Sequence, residues 1–283
     1  MRLDGKRTAV ITGGASGIGR ALAERLAREG VQVVLADVES AVLEETMAQL
    51  AAGGAEILGV QCDVSDLAQV EAVRDAALDR FGAVHYVFNN AGVTGGSAVS
   101  SPPEIWDWVI GVNLVGVING VQAFLPGLLA QGEGHIINTA SVAGFAGVPG
   151  MGPYSATKAA VVSLSESLFH ELGLQGSAVR CSVLCPGFVK TRIHESDRNL
   201  PAGLEAWADS EEAQFLGAMA RQAVEGGAEV SVVVDKVMSA LDDGRFWILS
   251  HERVARAMVA DQLNWMTTGT LPRFDLGAAG QPG

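Results

Sequence analysis

The chain has 283 residues, 48% hydrophobic and 18% charged, with 32 acidic against 19 basic side chains and a formal charge of −13. That length accommodates one α/β core, the composition is globular without low-complexity blocks, and the acidic balance repels a nucleic-acid backbone or an anionic membrane on average. The first residues, MRLDGKRTAV, lack the apolar stretch of a secretory signal and run into a strand, so a cytoplasmic protein is expected.

Arg7 to Ile11 is a short β-prone run, and Ile18, Leu22 and Leu26 recur at helical spacing through Arg28. Between them, at a strand-to-helix turn, lies Thr12 to Gly19, TGGASGIG. Gly13, Gly17 and Gly19 lack a Cβ, so the backbone there can turn tightly and approach a diphosphate. The helix that follows aims its free N–H groups and positive dipole end at the anion. Taken alone, such glycines serve an ordinary turn equally well.

Gly30 closes the first helix, Gln32 to Asp37 reads as a strand buried on both faces, Ser40 to Leu50 as a helix, and Glu56 to Gln61 as a third strand. Ser65 is the expected cap of the next helix, which carries Val70, Val73, Ala77 and Phe81 at helical spacing and stops at Gly82. Val84 to Asn89 is a fourth strand, running into Asn89-Asn90-Ala91-Gly92. Pro103 opens a long apolar helix. Asp107, Asn113, Asn119, Gln122 and Pro126 interrupt Ile105 to Ala130, which favours burial between the sheet and a partner subunit over a membrane span.

His135 to Ala140 is a fifth strand, leading to Ser141 and a glycine-rich loop over 142–152. A helix from Pro153 carries Leu164, Leu168 and Leu172 on one face, and Ser177 to Leu184 is a sixth strand, broken by Pro186-Gly187. From Thr191 to Ala228 the pattern loosens around scattered Trp207, Phe215 and Met219, and such a segment at the ligand edge reads as a substrate lid. Val232 to Leu241 is a helix, Arg245 to Ser250 a last strand and His251 to Trp265 a final helix, before a glycine- and proline-rich tail, Thr267 to Gly283, expected to be mobile. Cys62, Cys181 and Cys185 read as buried thiols of a reducing compartment, the last two about 13 Å apart if they share a strand. Strands alternating with helices imply βαβ units and a parallel sheet that binds ligands beyond its carboxyl edge. Gly13, Asp37, Asp63, Asn89, Ser141 and Pro186 each fall at a predicted strand end.

Several of these residues can carry chemistry. Asp37 ends the second strand where a carboxylate meets the ribose hydroxyls of NAD, whereas Ser16 and Val38, where an NADP site favours a base, are neutral. NAD is therefore expected over NADP, with a helix-capping aspartate as the plainer reading. Tyr154 and Lys158, four apart, share a helix face, and a nearby ammonium and a positively charged nicotinamide both favour phenolate, making Tyr154 a usable acid or base. By spacing alone the pair is more often just a partly exposed helix face. Ser141 can hydrogen-bond a substrate oxygen or serve a turn. Asn113, a buried amide, either satisfies neighbouring backbone or holds a water beside Lys158.

TGxxxGxG at 12–19, Asn-Asn-Ala-Gly at 89–92, Asn113, Ser141, Tyr154xxxLys158 and Pro186-Gly187 stand in the order found in the short-chain dehydrogenase/reductase family, which the chain resembles over about residues 5–192. The resemblance implies a Rossmann-type, doubly wound α/β fold with helices on both faces of a seven-stranded parallel sheet, in strand order 3-2-1-4-5-6-7. It implies that Gly13, Ser16, Gly17, Ile18, Gly19, Asp37 and Val38 receive the dinucleotide, that Asp63 and Val64 flank the adenine, and that Asn90, Ala91 and Gly92 brace the nucleotide. Ser141 is implied to orient the carbonyl, Tyr154 to be the catalytic acid/base, and Lys158 to hold the nicotinamide ribose while lowering the tyrosine pKa. Asn113 is implied to anchor a relay water, and Pro186, Gly187, Val189 and Thr191 to line the nicotinamide. The ending departs from the family, because Arg245 to Ser250 leads into another amphipathic helix. That departure puts the family's usual tetramer interface in question and is expected to leave the chemistry alone.

The expectation is a single oxidoreductase domain, 1–283, that interconverts a secondary alcohol and a ketone with NAD. Phe145, Val148, Met151, Phe188, Ile193, Trp207 and Phe215 are candidate walls for a bulky hydrophobic substrate, each equally suited to core packing. A catalytically silent dinucleotide-sensing regulator is the alternative, disfavoured by the full set Asn113, Ser141, Tyr154 and Lys158. An epimerase or dehydratase using NAD transiently usually carries a larger carboxy-terminal domain than the residues after Thr191 can form. No metal, nucleic-acid or membrane partner is expected. The helices from Ile105 and Pro153 are expected to pair subunits into a homodimer or homotetramer.

Overall fold

Seven short apolar runs lie side by side in a computed structural model that describes residues 7–271. They are β1 (Thr8–Thr12), β2 (Gln32–Asp37), β3 (Ile57–Gln61), β4 (Tyr86–Asn89), β5 (His135–Thr139), β6 (Arg180–Cys185) and β7 (Trp247–Leu249). All pair in parallel, in the order β3-β2-β1-β4-β5-β6-β7, as the resemblance implied. Alternation along each strand sends side chains to opposite faces. Ile11, Leu35 and Phe88 meet Leu22 and Leu26 of α1 (Gly17–Arg28), Leu43 of α2 (Ser40–Ala52) and, from the far end of the chain, Val233, Val237 and Leu241. Val10, Val34, Val87 and Ile136 take the other face, against Val70 and Val73 of α3 (Leu67–Phe81) together with Phe124, Leu128, Leu168 and Leu172. Each such fully buried side chain contributes on the order of 1.5–3 kcal/mol.

The long apolar helix is interrupted. α4 (Pro103–Ile110) and α5 (Gly116–Gln131) are joined by a π turn, Gly111–Val115, in which the Gly116 N–H reaches back five residues to the Gly111 carbonyl. By length and composition Pro103–Gln131 could cross a membrane; 44% of its most apolar window is buried inside the fold, and Phe124 and Leu128 pack against the sheet. α6 (Gly152–Leu174) follows, with Leu168 and Leu172 buried and Leu164 half-buried.

Some boundaries differ from expectation for local reasons. Asp66, not Ser65, caps α3 by accepting the Ala68 N–H, while Ser65 turns its own N–H and hydroxyl back to Asp63 Oδ1 at 2.9 and 2.7 Å. The sixth strand starts only at Arg180, because Ser177 is held in a turn: its N–H reaches the Leu172 carbonyl and its hydroxyl accepts the Val179 N–H. The loosened segment is more helical than its pattern suggested, forming 3-10 turns over Ile193–Asn199, α7 (Glu205–Ala208) and α8 (Glu211–Glu225). Ser210 caps α8, in which Phe215, Leu216, Met219, Ala220, Ala223 and Val224 recur at helical spacing although only Val224 is buried. α9 (Val230–Asp243) and α10 (Glu252–Thr268) complete the chain around β7. Of the predicted tail, Thr267 and Thr268 belong to α10, and residues 272–283 lie outside those described. Cys62, Cys181 and Cys185 are buried free thiols, the last two on β6.

Candidate active site

The first βα turn is built so that nothing larger than hydrogen fits at two points. Gly13 adopts φ +62°, and a Cβ there would stand 2.9 Å from the Ala91 Cα. A Cβ on Gly19 would overlap the Gly13 carbonyl oxygen. Side chains from three strand ends hold the turn. Thr12 Oγ1 accepts the N–H groups of Asn90 and Ala91 at 2.9 and 3.0 Å, Asn90 Nδ2 donates to the Thr12 carbonyl at 3.0 Å, and Asp37 Oδ2 accepts the Ala15 N–H at 2.9 Å. Ser16, the N-cap of α1, makes no side-chain bond to its helix, which leaves the first-turn N–H groups available to an anion.

Asp37 is buried, and that burial raises its carboxyl pKa. The N–H groups of Ala15 and Glu39 pull it back down, Glu39's charge raises it, and the Arg198 guanidinium lowers it. Arg198 comes from the far side of the site, 159 residues away, and pairs with Glu39 at 2.8 Å, where Asn199 joins it at 3.1 Å.

A cavity of about 1060 Å³ lies beyond the carboxyl ends of the strands. Its wall brings together Gly13, Ser16, Gly17, Ile18, Asp37 and Val38 with Asp63, Val64, Asn90, Ala91 and Gly92. Ser141, Tyr154, Lys158, Pro186, Gly187, Val189 and Thr191 line the same cavity, Thr191 lying against Gly17 and Lys158 beside Gly92. Of the expected cofactor residues only Gly19 stays behind the wall, where it packs against Gly13.

Ser141 follows β5, its hydroxyl accepting the Ala143 N–H at 3.1 Å and donating to the Pro186 carbonyl at 3.3 Å. Tyr154 and Lys158 project from one face of α6, with Lys158 Nζ 5.5 Å from the centroid of the tyrosine ring and donating to the Thr139 carbonyl at 2.9 Å. Burial draws the Lys158 ammonium down to about 8. Burial also raises the Tyr154 phenol above its ordinary value; the Ser141 hydroxyl opposes this and Cys185 adds to it. Among the protein's own groups burial thus outweighs the Ser141 hydroxyl, and the charge of a nicotinamide adds to this balance only when the cofactor is bound.

Asn113 sits in the π turn, fully buried, and does not line the cavity. Its Oδ1 accepts the Val93 N–H at 2.8 Å and its Nδ2 donates to the Val93 carbonyl at 2.9 Å, with Thr157 Oγ1 at 3.3 Å. The amide thus satisfies neighbouring backbone, one of its two readings. That bond clamps the chain beside Gly92, whose missing Cβ would stand 3.5 Å from Lys158 Nζ.

The substrate candidates divide. Val148, Met151, Phe188 and Ile193 line the cavity. Phe145 instead stacks at 5.6 Å on Trp247, Trp207 packs against the cluster of Val93, Ile105 and Val109, and Phe215 is 64% exposed. Sequence reasoning missed the α10 wall, where Val254, Ala257, Met258, Asp261, Gln262 and Trp265 face the cavity. The departure of the chain's ending from the family pattern was the available signal. Contrary to the expectation that this departure leaves the chemistry alone, it supplies part of the cavity wall.

Comparison with known proteins agrees with this architecture. A sequence model for short chain dehydrogenases matches residues 7–201. A short chain dehydrogenase/reductase from Burkholderia phymatum, solved in complex with NAD, is 43% identical, with a TM-score of 0.92 over 97% of this chain and 99% of that one. A CLA biosynthesis dehydrogenase/reductase of Lactiplantibacillus plantarum is 30% identical over 93% of each chain. A C alpha-dehydrogenase of a Sphingobium species is 33% identical over 89% of this chain and 83% of its own.

Proposed function

Because the chain belongs to the short-chain dehydrogenase/reductase family, we propose that it is an NAD-dependent enzyme that interconverts a bulky, hydrophobic secondary alcohol and its ketone. The observation that carries this reading is that Ser141, Tyr154 and Lys158 open onto the same cavity as the glycine turn. The residues fit the dinucleotide: the cradle at Gly13 and Gly17 admits no side chain without strain, the α1 N-terminus is open to a diphosphate, and Asp37 stands at the strand end that meets a ribose. When bound, the nicotinamide supplies the hydride acceptor for oxidation and the donor for reduction.

The chain's own groups do the rest. Ser141 transfers its hydroxyl's weak bond from the Pro186 carbonyl to the substrate oxygen and orients it. Tyr154 takes the alcohol proton in one direction and returns it in the other. Lys158 fixes the ribose beside the tyrosine, and Val148, Met151, Phe188, Ile193 and the α10 wall exclude water from an apolar body. Residues 191–228 cover the site, and the enzyme works in the cytoplasm as a homo-oligomer paired through α4, α5 and α6, where Leu129 and Phe169 remain exposed; gel filtration gives its size.

NADH absorbance with a panel of hydrophobic secondary alcohols tests the reading. Absence of turnover in a chain that binds NADH would favour the silent regulator instead. A pH series adds a signed expectation. With the Tyr154 pKa raised, the phenolate needed for alcohol oxidation is scarce at neutral pH and grows roughly tenfold per pH unit. Oxidation therefore accelerates from pH 6 towards about 8, where the Lys158 ammonium begins to be lost and the rise flattens. Ketone reduction, which uses the phenol, stays level over the same range.

Asp37→Ala is expected to lower the NAD-to-NADP ratio of kcat/KM by roughly tenfold or more, because a fixed carboxylate no longer opposes a 2′-phosphate. The Ala15 N–H loses its acceptor in the same variant. Affinity for NAD itself should fall as well, and an unchanged ratio would count against Asp37 as the discriminator.

A further inference from the structure

His251 lies between β7 and α10, within the ending that departs from the family, and its ring is fully buried. Its Nδ1 accepts the N–H of Gly187 at 3.1 Å, 64 residues away, and stands 2.8 Å from the Ser250 hydroxyl. Its own carbonyl accepts the Ala255 N–H at 3.0 Å and so starts α10. An amide donor at Nδ1 requires a lone pair there, which places the ring proton on Nε2 in a neutral imidazole. Burial, which pushes this histidine's pKa down, keeps it neutral. Nε2 has no hydrogen-bond partner among the described residues. A buried donor left unpaired costs stability. A hydrocarbon would avoid that cost, so the ring supplies something at Nδ1 that a hydrocarbon cannot.

What Nδ1 holds is the turn opposite the catalytic serine. Gly187 follows Pro186, whose carbonyl accepts the Val142 N–H at 2.9 Å and the Ser141 hydroxyl at 3.3 Å. The second distance is long for an O–H···O bond, which normally closes to about 2.7–2.8 Å. Ser141 is thus only loosely committed to Pro186 and can redirect its proton to a substrate oxygen. Release of Gly187 would leave the Pro186 carbonyl held by the Val142 N–H alone, so that the peptide can tilt towards the Ser141 hydroxyl and retain it.

Resting on the roles assigned above to Ser141, Pro186 and Gly187, we propose that His251 is a positioning residue for the reaction: by anchoring the Gly187 peptide through Nδ1, it keeps the Pro186 carbonyl at a distance that leaves the Ser141 hydroxyl free for the substrate. It also ties the nicotinamide-side turn to α10, so both walls of the cavity share one buried side chain. The ending that departs from the family reaches the reaction centre through this residue.

Three variants of the full chain test the proposal: His251→Leu, which removes the acceptor; His251→Asn, which restores one near the Nδ1 position; and Ser250→Ala, which leaves the Gly187 bond in place. kcat and KM for a hydrophobic secondary alcohol, NADH affinity by fluorescence, and the thermal midpoint are measured for each. His251→Leu is expected to lower kcat and weaken NADH binding, each roughly tenfold, with alcohol KM little changed, and His251→Asn to return both to within about threefold of the parent. Ser250→Ala should remain within about twofold. Wild-type kcat and NADH affinity in His251→Leu, or equal impairment in Leu and Asn, overturns the proposal. Should His251→Leu fail to fold, His251→Gln replaces it: its amide extends one bond too far to meet Gly187, so Gln should be impaired where Asn is not, and equal behaviour of the two is the overturning result. NADH affinity is read without turnover, so a chain inactive on every alcohol would sink the redox reading and with it the role of His251 towards Ser141, while the Leu and Asn comparison still decides whether His251 anchors the nicotinamide-side turn.

Discussion

Tyr154→Phe is expected to lower kcat by about a thousandfold, within the range of 10²–10⁴ for a positioned acid or base, while NADH affinity stays within a few-fold. The substitution removes one oxygen from a side chain that is 8% exposed and leaves the ring in place, so Lys158 keeps its contact 5.5 Å from the ring centroid and its bond to the Thr139 carbonyl. Stability should stay close to that of the parent, because at neutral pH the phenol is uncharged in both the folded and unfolded chain and the ring keeps its packing. The loss therefore falls on the proton-transfer step. Steady-state rates in both directions, set beside an NADH titration, make the check. A variant that turned over at near the parent rate would remove Tyr154 from the mechanism and leave Ser141 and Lys158 without a proton carrier.

Gly19→Ala is expected to abolish measurable dinucleotide binding, a loss of roughly a hundredfold or more in affinity, and to destabilise the fold by about 1–3 kcal/mol. The added methyl would overlap the Gly13 carbonyl oxygen and stand 2.7 Å from Asn90 Nδ2. Neither neighbour can retreat cheaply. Gly13 is already in the left-handed region with Ala91 behind it, and Asn90 is held by Thr12. Relief has to come from displacing the turn itself, which is the surface offered to the diphosphate. Gly30→Ala is the matched control: φ there is +80°, but a Cβ would meet nothing within 4 Å. That variant should show only the strain of a left-handed alanine, about 1–2 kcal/mol, with NADH binding intact. Isothermal titration and thermal melts of the two variants separate the effects, and normal binding in Gly19→Ala would break the link between this turn and the cofactor.

Tyr154, Lys158 and the glycine turn could be placed on one helix face and at one strand-to-helix turn because that geometry is local, but only the joint pattern resembling the family pointed to a role. Four residues make one helical turn, and a glycine's conformational freedom belongs to the glycine itself. Asp37 was legible because the end of a buried parallel strand shows as the end of an apolar run. Asn113 was seen but only half understood. Its partner is the Val93 backbone, 20 residues back, and the π turn that presents it has no clear mark in the sequence. Burial of Tyr154 was likewise not legible: spacing reveals that an ammonium is near, but not that it lies over the ring in a buried site.

By itself the sequence determined the α/β class, the strand order through its family resemblance, and most of the cavity's nucleotide-side residues, because periodicity and backbone freedom are properties of neighbouring residues. Only the tertiary structure decided that Arg198 would reach Glu39, that α10 would wall the cavity, and that His251 would hold Gly187. Those contacts join segments 159 and 64 residues apart. They arise where parallel strands lying side by side deliver distant loops to the same edge, a juxtaposition that no local pattern encodes.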